Sequence, residues 1–175
     1  MKKLLLFMTL LVGGCAVAPP SGVTPVSDFE LNRYLGRWYE IARLDHSFER
    51  GLSNVSATYG LRDDGGVKVL NRGYDDRAGA WKDAEGRAYF IGGPTVGSLK
   101  VSFFGPFYGG YHIVALDKAN YSWAMISGPN RDYLWILART RQLSPTVLDE
   151  LLRQARALGF ATDQLILVKQ DREDA

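Results

Sequence analysis

The stretch LGRWYEIAR, Leu35 to Arg43, places a Trp two residues after a Gly and then continues in the composition of a β-strand. Aromatic and β-branched side chains favour strands, and the run from residue 37 to 43 is rich in them. The tryptophan, Trp38, therefore stands at the beginning of a strand. It either forms the floor of a ligand pocket or packs in a core, and the other strands decide which.

Seven further segments share this composition, and they are VSATYGL, VKVLNRGY, WKDAEGRAYFI, SLKVSFF, YHIVALD, YSWAMIS and YLWILAR. Turn signals such as RDDGG, DDRAGA, GGPT and GPNRD separate them, and no helical period lies between them. About eight consecutive strands with short connections favour an antiparallel up-and-down barrel or a sandwich. The sequence therefore predicts an all-β fold.

A helical period appears only after the last strand. Ser144 and Pro145 provide a capping hydroxyl and a proline at the first helical position, and Gly159 ends the apolar repeat. We expect this C-terminal α-helix to pack its apolar stripe on the outside of the sheet. A short final strand is predicted from Leu165 to Val168.

Three motifs lie in order on these strands: Gly36 and Trp38 before the first, Asp117 in the turn between the sixth and seventh, and Arg139 at the end of the eighth. With the meander and the late helix, they resemble the lipocalins, and most closely the bacterial lipoprotein lipocalins. The resemblance covers residues 31 to 168. The family's usual Thr-Asp-Tyr is here Leu-Asp-Lys. The resemblance implies an eight-stranded barrel, the lipocalin calyx.

Successive turns of a meander alternate between the two ends of the barrel, so the three motifs share one end. A guanidinium above an indole gains about 0.5 to 2 kcal/mol, and a nearby carboxylate could hold it in place. We therefore expect Gly36, Trp38, Asp117 and Arg139 to form a structural plug at the closed end, with Trp38 as the floor and not a ligand contact.

Alternation along the strands predicts the side chains that line the interior. The predicted ligand-binding residues are Ala57, Tyr59, Val69, Ala88, Phe90, Val101, Phe103, Tyr111, Ile113 and Trp135. Small side chains at Ala57, Ala84, Gly86 and Ala88 favour an open cavity, although a glycine in a strand also marks bends. An apolar lining with a few hydroxyls suits a long hydrophobic molecule with its polar end at the mouth. Together with the family resemblance and the membrane address that the N-terminus implies, this makes a fatty acid or a lysophospholipid the expected ligand.

Two longer connections belong to the open end of this barrel. The connection formed by residues 44–54 is too long for a hairpin turn and is predicted to form a lid over the mouth. The stretch from Gly105 to Gly110 brings Phe107 and Tyr108 to the rim. These two aromatic residues either cover the backbone of their own loop or form a mobile gate or a membrane-touching patch.

The N-terminus predicts a lipoprotein. Residues 1–14 have two lysines and then an apolar run too short to span a bilayer, which is typical of a signal peptide. Val-Gly-Gly before Cys15 resembles the lipobox at which an N-terminal Cys is acylated, for example with palmitate. A free Cys in an ordinary signal peptide is the alternative. Residues 15–30 are predicted to be a flexible, lipid-anchored tether and residues 31–175 the lipocalin domain. Ala16 implies the periplasmic face of the outer membrane by the same resemblance.

The charge balance restricts the partners. Without Lys2 and Lys3 the chain has 19 basic and 19 acidic residues, so nothing favours nucleic acid. No cluster of ligands indicates a metal ion or a cofactor. The sequence leaves a homodimer open.

Three function classes follow from this sequence. The first is a noncatalytic carrier of single-chain lipids at the outer membrane, in membrane maintenance or stress. The second is a lipocalin-type enzyme acting on a hydrophobic substrate, and the third a structural envelope protein with a filled interior. Only two histidines could serve catalysis: alternation places His112 outside the barrel, and His46 is expected to be a solvated loop residue without a triad partner.

Overall fold

The computed structural model describes residues 17–173 and shows a closed antiparallel β-barrel. Its strands are β1 (Gly36–Arg43), β2 (Leu52–Leu61), β3 (Val67–Asp75), β4 (Ala80–Phe90), β5 (Ser98–Phe104), β6 (Phe107–Leu116), β7 (Trp123–Ser127) and β8 (Leu134–Ala138). Each strand pairs with the next, and β1 closes the barrel by pairing with both β2 and β8. The predicted eight-stranded up-and-down barrel is therefore confirmed.

Two helices flank the barrel, α1 (Leu31–Tyr34) before it and α2 (Pro145–Ala157) after it. The Ser144 hydroxyl accepts a hydrogen bond from the Val147 amide at 3.3 Å, which caps α2. After α2 come a 3₁₀ turn (Thr162–Gln164) and β9 (Ile166–Leu167), which pairs with β1. The predicted outer helix and final strand are confirmed.

The barrel separates two hydrophobic cores, one inside it and one between its outer face and α2. Leu151 and Ala155 of α2 are buried in the outer core against residues such as Met125 and Ile136. The inner core surrounds Trp38. This division follows from the alternation of side chains along each strand.

A β-bulge at Ile41 changes which residues of β1 face inward. The register with β8 shifts there, so that Glu40 lies opposite Leu137 and Arg43 lies opposite Trp135. Alternation from Trp38 already points Glu40 inward, and the one extra residue at the bulge brings Arg43 to the interior face as well. The open end of the candidate site depends on this irregularity.

The segment from Val17 to Glu30 packs on the barrel wall. Val26 donates its amide to the Ile113 carbonyl at 2.8 Å and accepts from the Gly97 amide at 2.9 Å, and Val23 is buried in the outer core. The division into tether and domain at residue 30 stays a prediction, and Cys15 and residues 1–14 lie outside the described residues. No helix within residues 17–173 is long and apolar enough to cross a membrane.

Candidate functional site

A cavity of about 840 Å³ occupies the upper part of the barrel and opens at the end that carries the β1–β2 and β5–β6 connections. This volume lies within the range of small-molecule sites. Most of the wall is apolar. Eight residues predicted to bind a ligand line it: Ala57, Tyr59, Val69, Ala88, Val101, Phe103, Tyr111 and Trp135.

Phe90 and Ile113, the other two, lie inside the barrel but not on the cavity wall. Both belong to the packed inner core, where the Phe90 ring lies 6.1 Å from that of Phe29 and Ile113 is fully buried. Phe29 and Tyr34, from the segment before β1, fill this end and line the cavity in their place. Strand alternation alone cannot reveal a floor contributed from outside the strands.

Three tyrosines place a chain of hydroxyl groups in this part of the barrel. The Tyr111 hydroxyl lies 2.7 Å from both the Tyr34 and the Tyr59 hydroxyl. Burial is the main cause that raises the pKa of all three phenols above the ordinary value. All three are therefore neutral around pH 7, and the cavity gains a polar but uncharged spot.

Beneath the tyrosines lies the closed-end plug. The Arg139 guanidinium carbon stands 4.0 Å from the centre of the Trp38 ring, and the indole N–H donates to the Tyr34 carbonyl at 2.8 Å. Arg139 also donates to the carbonyls of Arg37 and Arg33 at 2.9 and 2.7 Å. Gly36 has a φ of 91°, and a Cβ there would lie 3.4 Å from Arg139, which favours glycine at this position. Trp38 is fully buried and is absent from the cavity lining.

Asp117 does not hold the Arg139 guanidinium, contrary to the expectation from the motifs. Its carboxylate accepts hydrogen bonds from the Ser122 hydroxyl at 2.5 Å and from the Asn120 amide at 3.2 Å. Burial alone would raise the pKa of Asp117, but these hydrogen bonds hold it below the usual value. Asp117 thus fixes the β6–β7 turn, and backbone carbonyls hold Arg139 instead.

On one wall of the cavity, three charged groups are buried together. Arg43 donates to the Glu40 carboxylate at 2.7 Å and to the Glu49 and Leu52 carbonyls at 3.0 and 3.1 Å. These bonds fold the β1–β2 connection inward. Burial raises the pKa of Glu40 well above its usual range, and the Glu49 carboxylate raises it further, while Arg43 offsets only part of this. Glu40 and Glu49 both line the cavity.

His46 is buried, so the expectation of a solvated loop histidine is wrong. Its ring stacks on Phe48 and Tyr133 at 4.5 and 5.3 Å, and its Nδ1 lies 3.2 Å from a Glu49 carboxylate oxygen. The same oxygen accepts from the Trp135 indole N–H at 3.0 Å. The inward fold of the connection brings these groups together.

Comparison with known proteins decides the family. The lipocalin-like domain family matches residues 29–170. The chain belongs to this lipocalin family. It is 57% identical over 166 residues to the outer membrane lipoprotein Blc of Vibrio cholerae, and the aligned region covers 95% of this chain and 96% of the relative. Identity with the Escherichia coli K12 protein of the same name is 55% over 161 residues, covering 92% and 90%.

A solved lipocalin-fold structure supports the same architecture. Insecticyanin from Manduca sexta superposes with a TM-score of 0.69 at 22% identity, covering 90% of this chain and 89% of the other. At that identity the likeness shows the fold alone. Both bacterial relatives are named outer membrane lipoproteins, which confirms the predicted outer membrane location. This lipocalin is a bacterial outer membrane lipoprotein.

His112 faces away from the lipocalin cavity but is not exposed. Its ring is fully buried, with Nδ1 2.9 Å from the Ser98 hydroxyl and the Val17–Ala18 backbone packed over it. Desolvation lowers the pKa of this imidazole, although the two backbone groups act in the opposite sense. The prediction that His112 lies outside the barrel is therefore correct. Its burial there by the Val17–Ala18 segment has no signal in strand alternation.

The rim of the lipocalin cavity exposes aromatic side chains. Phe48, Phe104 and Phe107 are 62%, 82% and 67% exposed and all three line the opening. Tyr108 also borders the opening, and its hydroxyl lies 3.2 Å from the Arg87 guanidinium on the outer face. Both aromatic residues of this hairpin therefore lie at the rim. No group of three potential metal ligands occurs among the residues that the structure describes.

Proposed function

We propose that this lipocalin is a noncatalytic carrier of single-chain lipids, fatty acids or lysophospholipids, at the outer membrane. The observation that carries the proposal is the deep apolar cavity of about 840 Å³ with its single-ended opening ringed by phenylalanines. A filled interior, which a purely structural envelope protein would have, is not compatible with this volume.

The energetics favour long chains over short ones. Each buried methylene contributes about 0.8 kcal/mol, so ten contribute about 8 kcal/mol. Association itself costs about 4 to 15 kcal/mol. A chain that reaches the tyrosine floor therefore binds well, whereas one that fills only the upper part does not.

The distribution of charge favours one orientation of the lipid. The deep end of the cavity is lined by apolar side chains and by the three neutral tyrosines, which offer no counter-ion to an anionic end group. Arg72 and Lys82 lie at the opening together with Asp83, so both signs of charge are present there. We infer that the acyl chain points to the floor and that the polar end stays at the mouth.

The test is a fluorescence titration of delipidated protein with lysophospholipid. Trp135 lies on the cavity wall, so its emission should change and saturate, and a Trp135→Phe variant should lose most of that change. Glycerophosphocholine, which has no chain, is the control. Mass spectrometry should also find single-chain lipids in protein purified without detergent. A flat titration together with no extracted lipid would refute the carrier.

The enzyme alternative now concerns His46 and Glu49, which the structure places side by side. Aromatic rings cover the imidazole, and the pair ties the β1–β2 connection to Trp135, so we assign it a structural role. Wild-type protein should therefore not hydrolyse a chromogenic lysophospholipid. Hydrolysis by the wild-type protein that His46→Ala abolishes would instead support the lipocalin-type enzyme.

We also propose that acylated Cys15 anchors the chain at the periplasmic face, with residues 1–14 removed and residues 15–30 linking anchor and domain. Labelled palmitate should enter the wild-type protein, and Cys15→Ser should abolish both the label and membrane retention. Retention without any label would show that the anchor is different.

A further inference from the structure

A second, polar pocket of about 260 Å³ lies outside the lipid cavity, between the outer face of β4 and the end of β5. Only Phe103 lines both pockets. The smaller pocket is lined by Arg62, Glu85, Gly86, Arg87, Ser102, Phe103 and Gly105. None of these residues except Phe103 has a part in the proposed lipid binding.

Ser102 is the first sign that this pocket is built for a ligand. The residue is only 4% exposed, yet within the described part of the chain its hydroxyl has no hydrogen-bond partner. Buried hydroxyl groups are nearly always paired, so an unpaired one that borders a pocket indicates a missing partner. Arg87 lies directly opposite Ser102 in the β4–β5 ladder.

Among the charged groups around Ser102, two cations are paired with carboxylates and a third is not. The Arg62 guanidinium binds the Asp64 carboxylate at 2.9 Å, and Lys68 binds Glu85 at the same distance. Arg87 donates to the Tyr108 hydroxyl, and among residues 17–173 no carboxylate lies within ion-pair distance of Arg87. The pocket therefore carries a net positive charge, and the Tyr108 hydroxyl holds the Arg87 guanidinium in position.

Two glycines keep the pocket open. A Cβ at Gly105 would lie 2.9 Å from an Arg87 nitrogen, and a Cβ at Gly86 would lie 2.8 Å from the Phe103 ring. Both distances are too short for a real side chain. Only glycine at these positions therefore leaves both the guanidinium and the ring where they are.

We propose that this pocket binds a phosphate group. The Arg87 guanidinium pairs with its oxygens, and the Ser102 hydroxyl donates the hydrogen bond that it lacks within the protein. Guanidinium groups suit phosphate because their fork of N–H donors matches its oxygens. The phosphate comes either as a free ion or as the phosphodiester of a lipid headgroup.

The test is an NMR titration of the full chain at constant ionic strength, following the backbone amides of residues 86, 102 and 105. Inorganic phosphate should give saturable shifts that sodium chloride does not give. Arg87→Gln should weaken binding about tenfold or more, and Ser102→Ala by a factor of about two to ten. Arg77→Gln removes another exposed arginine, from the β3–β4 turn outside the pocket, and should change nothing.

Glycerophosphocholine separates the two sources, because it carries the lipid phosphodiester without a chain. Binding of both probes assigns a lipid headgroup, and binding of inorganic phosphate alone assigns the free ion. Saturation by neither probe, or equal weakening by Arg77→Gln, overturns the site. Ser102→Ala removes a hydroxyl that makes no hydrogen bond within the described residues, so it should not lower the Tm. Its phosphate titration therefore tests the site even if Arg87→Gln fails to fold. Neither probe has an acyl chain, so the result does not depend on the lipid cavity.

Discussion

The two ends of the barrel use the same strands for opposite purposes. At the closed end, Trp38 is fully buried, Tyr34 and Phe29 are almost so, and backbone carbonyls hold Arg139 above the indole. At the open end, Phe104 and Phe107 are largely exposed, and buried carboxylates line the wall. The same eight strands run through both ends of the barrel. What differs is the segment that crosses each end, which is α1 at the closed end and the charged β1–β2 connection at the open end.

If stability resides at the closed end, removing its central ring should have the largest effect. We expect Trp38→Ala to lower the free energy of unfolding by about 3 to 5 kcal/mol, because a large buried aromatic leaves a cavity. Urea unfolding measures this change. Trp81→Ala is the matched control near the open end, where the ring is only half-buried, and it should cost clearly less. Equal costs would remove the contrast between the ends.

The coupling within the plug is the next largest effect. Arg139→Ala should cost less than Trp38→Ala, and the two should not add, because the guanidinium lies 4.0 Å from the ring centre. A double-mutant cycle should give a coupling energy of about 0.5 to 2 kcal/mol. A coupling energy of zero would mean that Arg139 acts only through the carbonyls that it binds.

At the open end the expected effect is a smaller one and depends on pH. The pKa of Glu40 is raised in the folded protein, by burial first and by Glu49 second. A raised pKa favours the protonated form in the fold, so stability falls as pH rises above the ordinary glutamate pKa of about 4.3 towards the raised value. Glu49→Gln removes one cause and should flatten this fall.

Unfolding free energies measured from about pH 4 upward test this linkage. The control is Glu30→Gln, an exposed glutamate before α1 that should keep the wild-type slope. An unchanged slope in Glu49→Gln would show that the two carboxylates do not interact.

The fold was readable from the sequence because each of its parts has a local signal. Alternation and turn residues identify the strands, and Ser144, Pro145 and Gly159 mark the ends of α2. An up-and-down meander needs no long-range information to be ordered, since each strand pairs with the next. The barrel and its outer helix follow from these signals.

The candidate site was less readable, because its polar part depends on tertiary contacts. Alternation from Trp38 places Glu40 inside the barrel, so strand alternation is the sequence signal for this buried carboxylate. The bulge at Ile41, which turns Arg43 inward as well, has no sequence signal. The burial of His46 follows from the hydrogen bonds that Arg43 makes to the β1–β2 connection, and these become visible only once the chain is folded.

The final prediction has the smallest expected effect on stability and the sharpest one on binding. Ala88 lies on the cavity wall, and its β4 neighbour Arg87 is exposed on the outer face. In a filled core, Ala88→Trp would cost about 1 to 3 kcal/mol or more. In an open cavity, the indole takes the space of an acyl chain. Delipidated Ala88→Trp should therefore keep most of its Tm and bind lysophospholipid much more weakly.

The dependence on chain length shows whether the indole blocks the cavity or merely disturbs the strand. Blocking affects long chains more than short ones, because only long chains need the depth beyond Ala88. Arg87→Ala, on the opposite face of the same strand, should leave the chain-length preference as it is, whatever it does to phosphate binding. A series of lysophospholipids titrated into both variants decides this. If delipidated Ala88→Trp unfolds, or if Arg87→Ala shifts the preference as strongly, the open end is not the lipid cavity that its shape implies.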